Sequence, residues 1–498
     1  MKIFFFISLV LSVTFSFSQG TDQIDDQIKI GIEELREFVL IPNDALILDD
    51  IDKNIEWLSE NFKNRGFQTK IIKTDGAPLF FAELSKSKNA PSLLFYMHFD
   101  GQSVDPSKWN QKNPYIIELK EKSGVGWKKI EWSQLKGEID YEWRLFGRST
   151  SDDKGPIVMF LNAIDLLNKN NKEIQFNIKV ILDSEEEKSS KPLPKAVQEN
   201  RELLMADFLI INDGPVHHSN KPTLVFGCRG ITTLSITTFG PIKPQHSGHY
   251  GNYAPNPGFR LAHLLSSMKD ESGKVIIEGY YEGIDIDEAT NKILRSVPDD
   301  ISTIHNNLAI KNPEKVGNYY QEALQYPSLN IRGLSSGWTG EKARTIVPDR
   351  AVAEIDIRLV MESDGNRLKK LVKDHIAKQG YFITEKEPTI DERKAYDKIA
   401  MVKDGSVTNP FRTSLDDSNG IWIADVLENT FNEDVVKIRT MGGTVPIAPF
   451  INELKIPAFI VPMVNPDNNQ HSPNENLRIG QMSYGIKLFY NLLSTKIK

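Results

Sequence analysis

The sequence of 498 residues predicts an α/β fold: a mostly parallel sheet in one domain, with an α+β domain inserted into it. Three observations carry this reading. Short, almost wholly apolar runs recur, which suits parallel strands buried on both faces. Stretches with apolar residues at helical spacing separate them. Near Pro222 the pattern changes to Thr-rich alternation, and the strand-and-helix alternation resumes later in the chain.

In chain order, "IKIGIEELREFVLIPND" reads as a helix, and "NIEWLSENFKNRGFQTKII" as a helix, a stop at Gly66 and a strand. "PLFFAEL" and "PSLLFYMHFD" read as strands, the second as a central one. "KGPIVMFLNAIDLLNKN" has the spacing of an amphipathic helix, and "FNIKVILDS" and "ADFLIINDG" read as buried strands. "TLVFGCRGITTLSITTFG" alternates in the manner of an exposed antiparallel strand, followed by a helix in "NPGFRLAHLLSSMK" and by strand, strand and helix up to Gly380. "AFIVPMV" is a last strand and "IGQMSYGIKLFYNLL" a last helix. The sheet domain is therefore expected over 19–220 and 388–498, with the insertion over 221–387.

Hydrophobic content of 40% and charged content of 26% are ordinary for a globular protein. A net charge of −7 excludes no fold, but gives no reason to expect nucleic acid or an anionic membrane as partner. The first residues, "MKIFFFISLVLSVTFSFSQG", read as a signal peptide over 1–18. Their apolar run is shorter than the ~20 residues of a membrane span, and Ser16-Phe17-Ser18 has a small-x-small pattern. The expectation is export, to a periplasm or out of the cell, with no membrane attachment after cleavage. One cysteine, Cys228, allows no intramolecular disulfide and reads as a small buried residue.

In an open α/β sheet, functional residues gather beyond the C-terminal ends of the strands. At those places stand His98 and Asp100 after "LLFYM", Glu185, Glu186 and Glu187 after "VILDS", Asp213 after "FLIIN", and His471 in "NPDNNQHSPNE". Asp152 and Asp153 precede a helix in "RLFGRSTSDDKGP". Each has an ordinary reading by itself: a helix cap, a turn residue, a solvated acidic run. Together, two imidazoles and several carboxylates at one sheet edge make a nitrogen and oxygen site that suits zinc, with manganese or cobalt also compatible.

The motifs "YMHFDGQSVDPSKW", "GRSTSDDKGP", "EEE", "ND" and "HSPNE", with "PQHSGHYGNYAPNP", "ARTIVPDRAVAEIDIRLV" and "MGGTVP" between them, resemble the M20 family of di-metal peptidases, in its carnosinase-like dipeptidase branch. The resemblance runs over nearly the whole chain after residue 18. It implies a phosphorylase/hydrolase-like di-metal catalytic domain and a ferredoxin-like inserted lid and dimerisation domain. It implies two divalent metal ions. His98, Asp152 and Asp213 would hold one, and Asp152, Glu187 and His471 the other, with a cis peptide after Asp152. Asp100 would orient His98, and Glu186 would be the general base. His246 would steady the oxyanion, reaching across from a second subunit. Arg358 would hold a substrate carboxylate, while Thr345 and Thr444 would line the substrate. Glu185 keeps its reading as a solvated residue.

Some positions depart from the family pattern. Asp183-Ser184 stands where Glu-Gly is common, Ser149 where a second glycine is common, and Thr444 where relatives often have serine. None removes a ligand or the base; they bear on substrate preference. The implied activity is hydrolysis of dipeptides or short peptides. An amidohydrolase acting on N-acyl amino acids would use the same chemistry, and a silent binding protein could keep the fold. The complete set of ligands and base favours a hydrolase. A homodimer through the inserted domain is expected, with the strand beginning at Thr223 offering a sheet edge.

Overall fold

The computed structural model describes residues 23–445 and 447–497. The chain forms two compact units. One holds the described chain up to Phe226 together with Thr413–Lys437 and the chain from Pro449; the other holds Gly227–Arg412 with Ile438–Ala448.

The first unit is built on an eight-stranded sheet. Its order is Gln68–Ile72, Leu79–Leu84, Asn177–Asp183, Ser92–His98, Phe208–Ile211, Ala458–Ile460, Thr223–Val225 and Val436–Ile438. The middle four, from Asn177–Asp183 to Ala458–Ile460, are parallel. They are the apolar runs expected for strands covered on both faces. Antiparallel pairs join them to Leu79–Leu84 on one side and to Thr223–Val225 on the other. Parallel direction matters here because it sends four strand ends to the same edge.

Helices Lys154–Lys169 and Ile479–Ser494 pack over the middle strands, where Phe160 lies 5.4 Å from Phe95 and 5.3 Å from Phe489 between ring centres. The first of these was expected to be amphipathic, yet Lys154 to Ile164 are all buried. Its polar residues are neutralised inside: Asn162 donates to Glu34, and Lys154 donates to the carbonyls of Phe38 and Ile41, each at 2.8 Å. Gly155 is required by packing, since a Cβ there would sit 2.1 Å from the Thr150 carbonyl oxygen.

The second unit carries a five-stranded sheet in the order Asn330–Ser336, Arg350–Leu359, Gly230–Phe239, Ile399–Thr408 and Phe382–Thr384. Leu234, Ile236, Ile355 and Ile357 pack on one face with Leu261, Leu368 and Val372, from helices Pro257–Ser266 and Gly365–Lys378. Ile399–Thr408 lies in this sheet although it falls beyond residue 387, the expected limit of the insertion.

The expected edge is corrected. Thr223–Val225 lies inside the sheet of the first unit, and the Thr-rich strand Gly230–Phe239 is the centre of the second sheet, paired on both sides. Alternation reports one covered face and says nothing about lateral pairing, and the hydroxyls of Thr232 and Thr238 find the carbonyls of Ser406 and Pro257. The edge strands are Asn330–Ser336, paired on one side by Arg350–Leu359, and Phe382–Thr384, paired on one side by Ile399–Thr408.

Candidate metal centre

Three of the four parallel strands deliver candidate site residues directly. His98 ends its strand, Glu186 and Glu187 form a short turn after Asp183, and Asp213 follows Ile211. His471 arrives on the loop after Ala458–Ile460, with a left-handed backbone at φ 58°. Asp152 stands just before helix Lys154–Lys169, and the peptide from Asp152 to Asp153 is cis.

These side chains converge. His98 Nε2 lies 2.8 Å from Asp152 Oδ1, while His471 Nε2 lies 3.0 Å from Asp152 Oδ2 and 3.2 Å from Glu187 Oε2. Two overlapping triads result, His98–Asp152–Asp213 and Asp152–Glu187–His471, each with one ligand atom per residue within 4.8 Å of the others. Asp152 belongs to both. His98, Asp152 and Asp100 are buried, while His471 is half exposed.

The protonation states show a crowded acidic site. Burial lifts Glu187 to about 7 and Asp213 to about 6, with Asp152 adding to both. Burial also raises Glu186 well above the usual carboxylate range, with Asp213, Glu187 and Asp152 reinforcing it against the pull of His98. Burial acts upward on Asp152 too, but contact with His471 and His98 holds it well below that range. The Asp152 contact in turn lifts His471 to about 9. Among the described residues the buried Asp152 Oδ2 has no hydrogen-bond partner, although His471 Nε2 stands 3.0 Å away.

Two imidazoles, three clustered carboxylates and an unpartnered buried oxygen fit divalent cations with a preference for nitrogen and oxygen. A cation would offset the burial and the repulsion from Asp152 that raise Glu187 and Asp213. Binding must then displace protons from Glu187, Asp213 and His471, whose folded pKa values lie near 7, 6 and 9. Cation affinity is therefore expected to fall as pH drops through 7 and 6. Competition titrations with a chelating indicator from pH 8 to pH 5 check this; a flat profile contradicts it.

The structure also shows what supports these side chains, and Gln102 and Glu475 are supports to which the sequence reading gave no role. Asp100 stands 3.4 Å from His98 Nδ1, as expected of an orienting carboxylate, and it also accepts the backbone N–H of Glu186 at 3.0 Å and of Glu187 at 3.1 Å. Asp100 thus serves both places: its carbonyl, 3.2 Å from His98 Nδ1, and its carboxylate face the imidazole, and the carboxylate also fixes the glutamate turn. Gln102 donates to Glu187 Oε2 at 2.7 Å. Glu475, the last residue of "HSPNE", is fully buried and accepts from Ser151 N and Asp152 N at 3.0 Å, Ser149 N at 3.0 Å, the Ser151 hydroxyl, and Arg148 Nη1 at 2.6 Å. It holds the loop that presents Asp152. The "HSPNE" motif was the available signal, but a glutamate in a polar loop gives no sign that it folds inward.

Two smaller readings change. Glu185 is not a free solvated residue; its carboxylate accepts the N–H of Ala77 at 2.8 Å. Asp183, one of the departures from the family pattern, accepts from the hydroxyls of Tyr96 and Ser190 and from the N–H of Glu185, and so shapes the start of the glutamate turn.

The remaining expected residues lie in the second unit and form two groups. Arg358 Nη1 donates to Thr444 Oγ1 at 2.7 Å, and the Thr444 hydroxyl donates to the Arg229 carbonyl at 2.7 Å. His246 pairs with Ile346 in a short ladder, and the adjacent Ser247 N–H donates to the Thr345 carbonyl, which brings His246 and Thr345 together. His246 is exposed, its Nδ1 accepting the Gly248 N–H. Cys228 is buried, and burial pushes its thiol up to about 11, which keeps it protonated and inert.

Two overlapping triads at the ends of parallel strands are the arrangement that a hydrolase using two divalent metals would need. The chain belongs to peptidase family M20/M25/M40, whose model matches residues 94–495. It is 25% identical to the Beta-Ala-His dipeptidase of Mus musculus, over 92% of this chain and 91% of that protein. It is likewise 25% identical to the Cys-Gly metallodipeptidase of Candida albicans, over 94% of each. Among solved structures, an M20 metallo-carboxypeptidase from Sulfolobus solfataricus superposes with a TM-score of 0.73 at 26% identity, covering 93% of this chain and 98% of that one. Human carnosine dipeptidase 1 shares the fold with a TM-score of 0.70 at 22% identity, covering 95% and 96%.

The expectation of export is corrected. It rests on residues 1–18, which lie outside the described residues. The comparisons that run against it are those with the Cys-Gly metallodipeptidases of Candida albicans, Schizosaccharomyces pombe and Saccharomyces cerevisiae, similar over 94%, 83% and 95% of this chain. A short apolar run with one lysine is a local pattern, and local patterns do not report a destination. Among the described residues no helix is long and apolar enough to cross a membrane.

Proposed function

We propose that this protein hydrolyses dipeptides at the two-triad centre, with Glu186 as the proton carrier. The observation that carries the reading is the pair of triads sharing Asp152, with the partly buried Glu186 adjacent to Glu187. The names of the relatives, Beta-Ala-His dipeptidase and Cys-Gly metallodipeptidase, support the substrate class.

His98, Asp152 and Asp213 would hold one divalent cation, and Asp152, Glu187 and His471 the other. Bound there, the cations supply Lewis acidity toward the scissile carbonyl and an attacking water; zinc, manganese and cobalt all suit these ligands. Asp100 keeps His98 Nε2 free as a ligand by facing its Nδ1. Glu186 takes the proton from the water and returns it to the leaving amine, the general acid–base role. Arg358 takes the substrate carboxylate, a task that its planar guanidinium suits, with Thr444 holding it in place. His246 and Thr345 serve the oxyanion and the substrate backbone.

The test is a screen of β-Ala-His, Cys-Gly and N-acetyl amino acids with added zinc, manganese or cobalt. Dipeptide turnover supports the reading, and turnover confined to N-acyl amino acids would establish the amidohydrolase instead. Arg358→Met should raise KM for dipeptides by about tenfold or more, because a hydrogen-bonded charge contact is worth about 1.5–3 kcal/mol. Unchanged kinetics would remove Arg358 from substrate binding.

The expected homodimer belongs to the same proposal. Edge strand Asn330–Ser336 exposes Ile331 and Leu334, a surface that pairing would cover. Light scattering after size exclusion should give twice the chain mass, and Leu334→Lys should shift it to monomer. A monomer in the unaltered protein counts against this part.

A further inference from the structure

The second unit contains a cavity of about 210 Å³ that takes no part in the chemistry above. Tyr281, Tyr320 and Tyr326 line it, with Lys269 and Glu314 at its rim and Arg229 in its wall. Lys269 and Glu314 pair with each other at 3.0 Å. Arg229 is only 7% exposed. Its Nη2 donates to the carbonyl of Tyr326 at 2.7 Å, its Nε has no hydrogen-bond partner, and among the described residues no carboxylate pairs with it.

A guanidinium in this state is costly. Burying a charge is tolerated when an opposite charge or a full set of hydrogen bonds compensates it. Burial lowers the pKa of Arg229 to about 10, and the nearby Arg358 adds repulsion that outweighs the smaller pull of Asp356. Because a protein does not gain by holding two cations near each other out of water, the missing partner is an anion. The cavity beside the guanidinium has room for one.

We propose that this cavity is a binding site for a small monocarboxylate with an apolar or aromatic body, its carboxylate paired with Arg229 and its body among the three tyrosines. The charges select the class. One uncompensated cation matches one negative charge, and Glu314 at the rim disfavours a dianion such as phosphate. The tyrosine rings offer faces and edges to an aromatic body. The site is independent of the metal ligands, since every lining residue belongs to the second unit.

Calorimetric titration of the full-length, metal-loaded protein tests this with phenylacetate, acetate and inorganic phosphate. One equivalent of phenylacetate should bind, more tightly than acetate, with no comparable binding of phosphate. Arg229→Met should weaken phenylacetate by about tenfold or more, as expected when a charged hydrogen-bonding partner is removed. Arg358→Met should leave that binding in place. Lys269→Glu adds a second carboxylate at the rim and should also weaken it; this partly exposed position keeps the test decisive if Arg229→Met does not fold. Undiminished binding in Arg229→Met or in Lys269→Glu overturns the proposal. So does loss of binding in Arg358→Met, which would place the ligand at the substrate residues, or phosphate binding as tightly as phenylacetate.

Discussion

Glu186→Gln is expected to lower dipeptide hydrolysis by about 10²–10⁴-fold, the range that general acid–base groups contribute. The substitution keeps the side-chain volume and the backbone bond from Glu186 N–H to Asp100. It removes the one thing the mechanism needs there, an oxygen able to accept and return a proton. Glu186 is not part of either triad, so both cations should remain bound at the stoichiometry of the unaltered protein. The experiment therefore pairs kcat with metal content by elemental analysis. Turnover within a few-fold of normal would remove Glu186 from the proton path. Loss of metal along with activity would instead assign it a ligand role.

The second large effect is structural and lies one step behind the ligands. Glu475→Ala should destabilise the protein by about 3–5 kcal/mol, because Arg148 is left charged and buried without its partner. It also strands the N–H groups of Ser149, Ser151 and Asp152, which now converge on the lost carboxylate. Since those bonds set the backbone that presents Asp152, cation affinity should weaken as well. Glu475→Gln separates the two effects: it preserves the shape but replaces the charge and turns one acceptor into a donor. Chemical denaturation and metal titration of both variants check this. The double variant Glu475→Ala with Arg148→Met should recover part of the lost stability, because the unpaired charge is then gone. Full stability in Glu475→Ala would show that the loop is held by other contacts.

Much of the metal centre was legible because its ligands obey local rules. His98, Asp213 and the glutamate pair each follow an apolar run that can only be a buried strand, and a parallel sheet sends such ends to one edge. Asp152 and His471 do not end strands; the motif resemblance located them. What escaped the sequence was pairing at a distance. The Thr-rich strand looked exposed and proved central, since alternation describes the faces of a strand and leaves its neighbours open. The far end of the insertion was equally obscure. Ile399–Thr408 joins the second sheet by bonding to a strand about 170 residues earlier, and no composition change marks it.

The sequence by itself pointed to the parallel core, to His98, Glu186, Glu187 and Asp213 beyond its strand ends, and to the kind of metal such side chains suit, because period, strand ends and ligand chemistry are properties of short stretches. Only the tertiary structure decided which atoms hold those ligands in place. Asp100 serving His98 and the glutamate turn together, Glu475 buried under the Asp152 loop, and Arg229 left without an anion are all contacts between distant segments. They exist through folding, and their energies depend on burial, which a linear sequence does not record.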